Sequence, residues 1–125
     1  IRSRPTPVGL QTRLRWALEV AETLLLLHTT PDVSLYHGDV RPTNVALHQA
    51  KGGGRLEAFL LDLGVSMHNH PHGMTDPLRG NSACVAPEME EGECAFDGAA
   101  DVWSWAVLLF ALLSWTVPDG GRAER

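Results

Sequence analysis

Tyr36-His37-Gly38-Asp39-Val40-Arg41-Pro42-Thr43-Asn44 begins where a helical apolar pattern stops and ends where a short apolar strand pattern starts. The spacing makes it a loop between a helix and a strand. This loop gathers polar groups of different chemistry. Asp39 can accept a proton. Arg41 carries a fixed charge suited to phosphate oxygens. Asn44 offers a carbonyl oxygen, a hard ligand that suits magnesium. Pro42 denies the loop a helical continuation and stiffens it. Alone, the string His-x-Asp-x-x-x-x-Asn is short enough to arise by chance. Its weight comes from three further stretches, downstream and in a fixed order.

On the N-terminal side, residues 1–9 are rich in Pro and Arg and read as an irregular lead-in. From Leu10 the pattern turns helical. Leu14, Leu18, Ala21, Leu25 and His28 recur at steps of three and four, with Arg13, Arg15, Glu19 and Glu22 between them, which predicts that the first set is the buried face. The run Leu24 to Leu27 is apolar all round and predicts a deeply buried helix end. Thr29-Thr30-Pro31-Asp32 stops the helix.

On the C-terminal side, residues 45–48 and 56–61 read as two short strands joined by the turn Lys51-Gly52-Gly53-Gly54-Arg55. A phosphate loop would need Gly-Lys-Ser/Thr leading into a helix. Here Arg55 leads into a strand, so a hairpin turn is the better reading. Asp62-Leu63-Gly64 follows the second strand. Residues 62–88 then form a long polar stretch without periodicity. Its His68, His70 and His72 lack a carboxylate or Cys pattern that would complete a metal site. Ala86-Pro87-Glu88 closes the stretch, and residues 87–93 predict one short helix with a solvated acidic face. Asp101-Val102-Trp103-Ser104 is expected to open the last helix, with Asp101 as its cap. Trp103, Val107, Leu108, Ala111, Leu112 and Trp115 form the apolar face, and the helix is nearly apolar all round, as a helix in the middle of a domain is.

Bulk properties narrow the function classes. A chain of 125 residues allows one domain and can bury about two-thirds of its unfolded surface. A net charge of −5 gives no basic footprint for nucleic acid. Cys84 and Cys94 fit neither a metal spacing nor a disulfide framework and read as ordinary thiols. The apolar run 102–117 falls short of the ~20 residues of a membrane span. The chain begins at Ile1 and shows no signal peptide.

The ordered set of the Asp39 loop, Asp62-Leu63-Gly64, Ala86-Pro87-Glu88 and Asp101-Val102-Trp103-Ser104 resembles the C-terminal lobe of the eukaryotic-type protein kinases, over residues 10–115. The resemblance implies an α+β fold, mainly helical, with a short β-hairpin beside the catalytic loop. It implies a lead-in at 1–9, a partial kinase domain at 10–117 that lacks the N-terminal lobe and the last helices, and a polar tail at 118–125. It implies ATP and Mg2+ as cofactors, a protein substrate and, from Asp-x-Arg-Pro-x-Asn, Ser/Thr specificity. Asp39, Arg41 and Asn44 would be the catalytic residues. Ala46, Asn44 and Asp62 would bind the nucleotide, with Asn44 and Asp62 as the metal ligands. A cytoplasmic location and no nucleic-acid or membrane partner go with this reading.

By the same resemblance, His37 and Leu63 would join an internal stack of side chains. Asp101 would hold the catalytic-loop backbone from below. Leu108 and Leu112 would lie beneath Ala46, the floor of the adenine site. Glu88 would be a buried carboxylate paired with an Arg beyond Trp115. The sequence also departs from the family pattern. Gly38 stands where many kinases carry an Arg that receives an activating phosphate. Leu63 replaces Phe, Asn81 replaces Thr and Ala106 replaces Gly. No Gly-rich loop or nucleotide-gripping Lys strand is present. Gly38, Leu63, Asn81 and the missing lobe favour the rival expectation, a pseudokinase or scaffold that acts through protein–protein contacts; the intact Asp39, Arg41, Asn44 and Asp62 favour the enzyme.

Overall fold

Two long helices cross, and Arg13, Trp105 and His28 pin them together through polar contacts. The computed structural model describes residues 8–31, 35–49, 52–63, 67–68, 82–90 and 97–115. Helix α1 spans Leu10–Thr29, with Gly9 as its N-cap and Thr30 as its C-cap. Its buried residues are Trp16, Ala17, Val20 and Leu24. This corrects the expected face: Leu14, Leu18 and Leu25 are exposed, at 45%, 56% and 63%, and Leu26 is 68% exposed, so the helix end is not buried all round.

The physical reason lies in the charged residues. Arg13, Arg15 and Glu19 are partly buried and serve neighbouring backbone. Arg15 Nη2 and Trp16 Nε1 both donate to the Leu56 carbonyl, at 3.0 and 3.1 Å. Glu19 Oε2 accepts from the Ala58 amide at 2.7 Å. Apolar residues lie on two sides of α1, and the side that supplies partners for a strand edge goes inward.

That edge belongs to a hairpin. Strand β1 is Leu35–Tyr36, β2 is Val45–Gln49 and β3 is Leu56–Leu60. β2 and β3 pair antiparallel from Val45↔Leu60 to Gln49↔Leu56. The expected turn is present, with Gly52 and Gly53 at φ +92° and +79°, conformations that favour glycine. The stretch after Asp62 has structure of its own. Met67–His68 forms β4 and pairs antiparallel with β1, a contact that the polar composition did not predict. A 3-10 turn covers Ser82–Cys84, and helix α2 covers Pro87–Glu90.

Helix α3 spans Gly98–Ser114. Asp97, not Asp101, is its N-cap and accepts from the Ala99 amide at 2.8 Å. Asp101 sits one turn inside the helix and is buried for another purpose. At the other end Trp115 takes a left-handed conformation, φ 59°. Arg13 Nη1 donates to the last-turn carbonyls of Leu112 and Leu113 at 2.9 and 3.0 Å, and its guanidinium lies 5.5 Å from the Trp115 ring centroid. A cation at orphan carbonyls is favoured by the helix dipole. Trp105 Nε1 donates to the Ala17 carbonyl at 2.8 Å, which fixes α3 against the middle of α1.

Trp16, Val20, Leu24, Val40, Ala58 and Leu108 form the core, so it takes in α1, the Asp39 loop, β3 and α3. The mixed helix and small antiparallel sheet agree with an α+β class. Residues 1–7, 32–34, 50–51, 64–66, 69–81, 91–96 and 116–125 lie outside the described residues. With them lie the expectations for Gly64, His70, His72, Asn81, Glu91, Glu93, Cys94, and most of the lead-in and tail.

Candidate active site

The loop that carries Asp39 is held at both ends by buried groups. Asp101 is 1% exposed and His37 is fully buried. Asp101 Oδ2 accepts from the His37 amide at 2.7 Å, and Oδ1 accepts from the Gly38 amide at 2.8 Å. The expectation that Asp101 grips this backbone from below therefore holds. Gly38 takes φ +78°, in the left-handed region, so the turn before Asp39 uses the freedom of glycine.

The His37 ring ties the loop to the end of β3. Its Nδ1 accepts from the Asp39 amide at 3.2 Å, which leaves the hydrogen on Nε2, and Nε2 faces the Leu61 carbonyl at 3.0 Å. The Leu61 amide in turn donates to the Asn44 carbonyl at 2.7 Å. Leu61 is thus fastened to both ends of the loop, and Asp62 is the next residue. This backbone route sets Asp62 one residue beyond the residue that bonds the Asn44 backbone carbonyl. Asp62 is exposed and holds φ 66°, an uncommon conformation for a residue with a side chain.

Three predicted catalytic residues meet at one carboxylate. Asp39 Oδ2 accepts from Asn44 Nδ2 at 2.7 Å and lies 3.0 Å from Arg41 Nη2. Asn44 Nδ2 also donates to the Asp39 carbonyl at 2.9 Å. Both partners of that amide nitrogen are acceptors, so its orientation follows from the network. The Asn44 side-chain oxygen Oδ1 is then the atom not turned to Asp39. Asn44 is buried and sits in a 3-10 turn, Pro42–Asn44, that the proline starts. Arg41 enters this turn in an extended conformation, so its guanidinium folds back over Asp39.

Ala46 is half-buried and pairs with Phe59 across the hairpin. A cavity of about 200 Å³ beside the strand is lined by Val45, Leu47, Leu108 and Leu112, with Trp16 and Trp115 among its other walls. Strand alternation explains the shift from expectation: Val45 and Leu47 share one face, and Ala46 points to the other. Leu63 is 51% exposed, whereas His37 is fully buried. Glu88 is also exposed, which removes the expected buried, unpaired carboxylate.

Two neighbours of the site did not stand out in the sequence. Cys84 is buried at 7% exposure, within electrostatic reach of Arg41 and Asp39. Burial pushes its thiol pKa up from 9.0; Arg41 pulls it down and Asp39 adds to the rise. Its carbonyl accepts from Ser104 Oγ at 2.6 Å, which fixes the 3-10 turn to α3. The other is His28, whose Nε2 lies 2.9 Å from Asp101 Oδ2. Its only sequence signal was a polar residue at the end of an apolar run.

Among the described residues no three His, Cys, Asp or Glu side chains gather into a metal cage, and no helix is long and apolar enough to cross a membrane. No protein-family model matches the chain. Curated proteins do match it. CBL-interacting protein kinase 27 of Oryza sativa subsp. japonica is 39% identical over 88 residues, 67% of this chain and 20% of that protein. The serine/threonine-protein kinase PEPKR2 of Arabidopsis thaliana is 32% identical over 114 residues, 91% of this chain and 23% of that protein. Mitogen-activated protein kinase kinase kinase 7 of Drosophila melanogaster is 32% identical over 110 residues, 86% of this chain and 15% of that protein. The chain thus spans less than a quarter of the length of these relatives. Similarity to several Ser/Thr kinases over most of the chain, together with Arg41 and Asn44 gathered on Asp39, makes this chain a homologue of the eukaryotic-type protein kinases.

Proposed function

We propose that this chain is the part of a kinase C-terminal lobe that carries the catalytic loop. In the whole protein it would serve transfer of the ATP γ-phosphate to a protein Ser/Thr hydroxyl. The observation that carries the reading is the convergence of Arg41 and Asn44 on the Asp39 carboxylate, in a loop fastened to α3 by Asp101. Phosphoryl transfer asks mainly for positioning and charge neutralisation. A carboxylate held by a buried network is a positioned acceptor for a hydroxyl proton. Arg41 beside it is a fixed cation for charge that develops on the transferred group.

The residues present fit magnesium. Magnesium keeps several waters and takes one or two protein oxygens together with phosphate oxygens, so a closed protein cage is not required. The Asn44 side-chain amide spends its nitrogen on Asp39, and its Oδ1 is the atom that would serve the metal. Asp62 would supply the carboxylate, and the two residues would hold the metal. When bound, that metal neutralises phosphate charge. The chain's own part is to orient the substrate hydroxyl at Asp39 and to place Arg41 beside it. Ala46 would contact the nucleotide base.

The test is a thermal-shift titration of the full-length protein with ATP, with and without magnesium. A shift that needs magnesium and disappears in Asp62→Ala supports the reading. An undiminished shift in the mutant makes Asp62 a turn residue and removes it from the metal site. Magnesium-dependent binding without phosphotransfer would favour the scaffold reading instead.

A further inference from the structure

We infer that Phe59 is a binding residue of the nucleotide site, and that its ring supplies the apolar platform for the base that Ala46 is too small to supply alone. This rests on the proposed kinase function, in which the base lies at Ala46. It adds the side chain that carries most of the base contact.

Ala46 and Phe59 stand directly opposite each other in the β2–β3 hairpin. Opposite residues of an antiparallel pair point to the same face, with Cβ atoms about 5 Å apart. The two faces of the hairpin differ. Ala58 is 6% exposed, and Val45 and Leu60 pack against the core, so their face is committed to the interior. Phe59 lies between Ala58 and Leu60, faces the other way and is 46% exposed.

A single exposed aromatic is ordinary; its neighbours make this one a platform. Across the hairpin stands alanine, the smallest apolar side chain, which leaves the ring uncovered on that side. The ring is braced at the end away from Asn44. His48, diagonal to Phe59 on the same face, meets it edge-on with centroids 6.0 Å apart and planes at 77°. At the other end Leu61 is exposed, and its amide continues the hairpin by bonding to the Asn44 carbonyl. By alternation it shares the face of Phe59 and leads to Asp62.

The platform also lies at a useful distance from the proposed metal ligands. Ala46 is two residues past Asn44, about 7 Å at strand spacing. A ribose and its first phosphate span a gap of that order. Ala46, Phe59 and Leu61 carry no side-chain donor or acceptor. They would take the flat apolar face of a purine and leave its polar edge to other groups.

The test is isothermal titration of the full-length protein with MgATP, for wild type, Phe59→Ala and Phe59→Tyr, with the melting temperature of each free protein as the control. Phe59→Ala is expected to weaken MgATP binding about tenfold, the order of one base–aromatic contact. Binding should still require magnesium, since the metal ligands are untouched. Phe59→Tyr keeps the ring and should stay within about threefold of wild type. The melting temperature should hold in both, because the half-exposed ring lies outside the core. Where turnover is measured, Phe59→Ala should raise the nucleotide KM and leave kcat within about twofold, as for a lost contact made equally before and during the reaction. If wild type binds MgATP and Phe59→Ala binds it equally well, the inference is overturned and the kinase reading stands. If wild type binds no MgATP, the kinase reading falls and takes the inference with it. A lower melting temperature of free Phe59→Ala alongside weaker binding would make Phe59 a packing residue, and a tyrosine variant as weak as the alanine one would deny the ring its role; either result overturns the inference.

Discussion

At the scale of single residues, the Asp39 carboxylate carries most of the functional argument. Asp39→Asn keeps the shape and one oxygen but removes the charge that Arg41 pairs with and the ability to take a proton. In the full-length protein it should lower turnover by about 10²-fold or more while nucleotide affinity changes little. Steady-state kinetics would decide: turnover within about twofold of wild type removes Asp39 from the mechanism. Cys84 gives a second, pH-based expectation. Its pKa is raised, first by burial. The folded state holds the thiol proton more tightly than the unfolded chain does. The stability it contributes is therefore fully present below the unfolded value and is lost as pH rises through the folded one. In a Cys94→Ser background, alkylation of Cys84 at about pH 8 should run at least about tenfold slower than that of a free thiol, because the thiolate is the reactive form. Alkylation at the free rate would show that the side chain is not enclosed. At this scale the sequence was legible where a residue type states its chemistry, as for Asp39, Arg41 and Asn44. It was silent on Cys84 and His28, because their roles come from partners 20 or more positions away, Ser104 and Asp101.

At the scale of elements, boundaries and strand pairing in the hairpin were readable, since alternation, a glycine turn and a proline-led loop are local signals. The face of α1 was not. A period of three and four fits both Leu14-Leu18-Leu25 and Trp16-Val20-Leu24-Leu27, and only tertiary partners choose between them. The choice is made by Arg15, Trp16 and Glu19, which supply hydrogen bonds to the edge of β3. Adjacent leucines therefore make a sharp test. Leu24→Ala should cost about 2–5 kcal/mol, as for a core truncation, and Leu25→Ala should stay within about 0.5 kcal/mol. Urea unfolding of the two variants would check this, and equal costs would contradict the observed face. The cap of α3 was misplaced for a related reason. Asp97 and Asp101 are both plausible N-terminal residues, and the sequence does not show that one of them has been claimed by the Asp39 loop. Asp97→Ala should cost about 1 kcal/mol, the usual worth of a cap. Asp101→Ala should cost about 3–5 kcal/mol, because it strips the partner from buried donors. Comparable losses from the two would put Asp101 back among ordinary helix residues.

At the scale of the whole molecule, apolar surface outweighs the question of charge. The expected penalty from a buried Glu88 does not arise, because Glu88 is exposed. What remains are two exposed apolar stripes. On α1, Leu10, Leu14, Leu18 and Leu25 are 45–63% exposed; on α3, Val102, Trp103, Phe110 and Leu113 are 42–57% exposed. Each set repeats at helical spacing, so each is a continuous band rather than scattered side chains. Bands of this kind drive association in water. The core between them is small and rests on Trp16, Val20, Leu24, Val40, Ala58 and Leu108. Residues 1–125 by themselves are therefore expected to self-associate at micromolar concentration, and to melt broadly rather than in one sharp step. The cause can be separated from simple instability. Leu18→Lys and Phe110→Lys together put two cations on the exposed bands and touch none of the core residues. They should move the sedimentation profile toward monomer and leave the melting temperature unchanged or higher. If association persists at the same concentration in the double variant, the exposed bands are not its cause. A cooperative melt with micromolar ATP affinity in the unmodified chain would instead show that this segment stands as a domain alone.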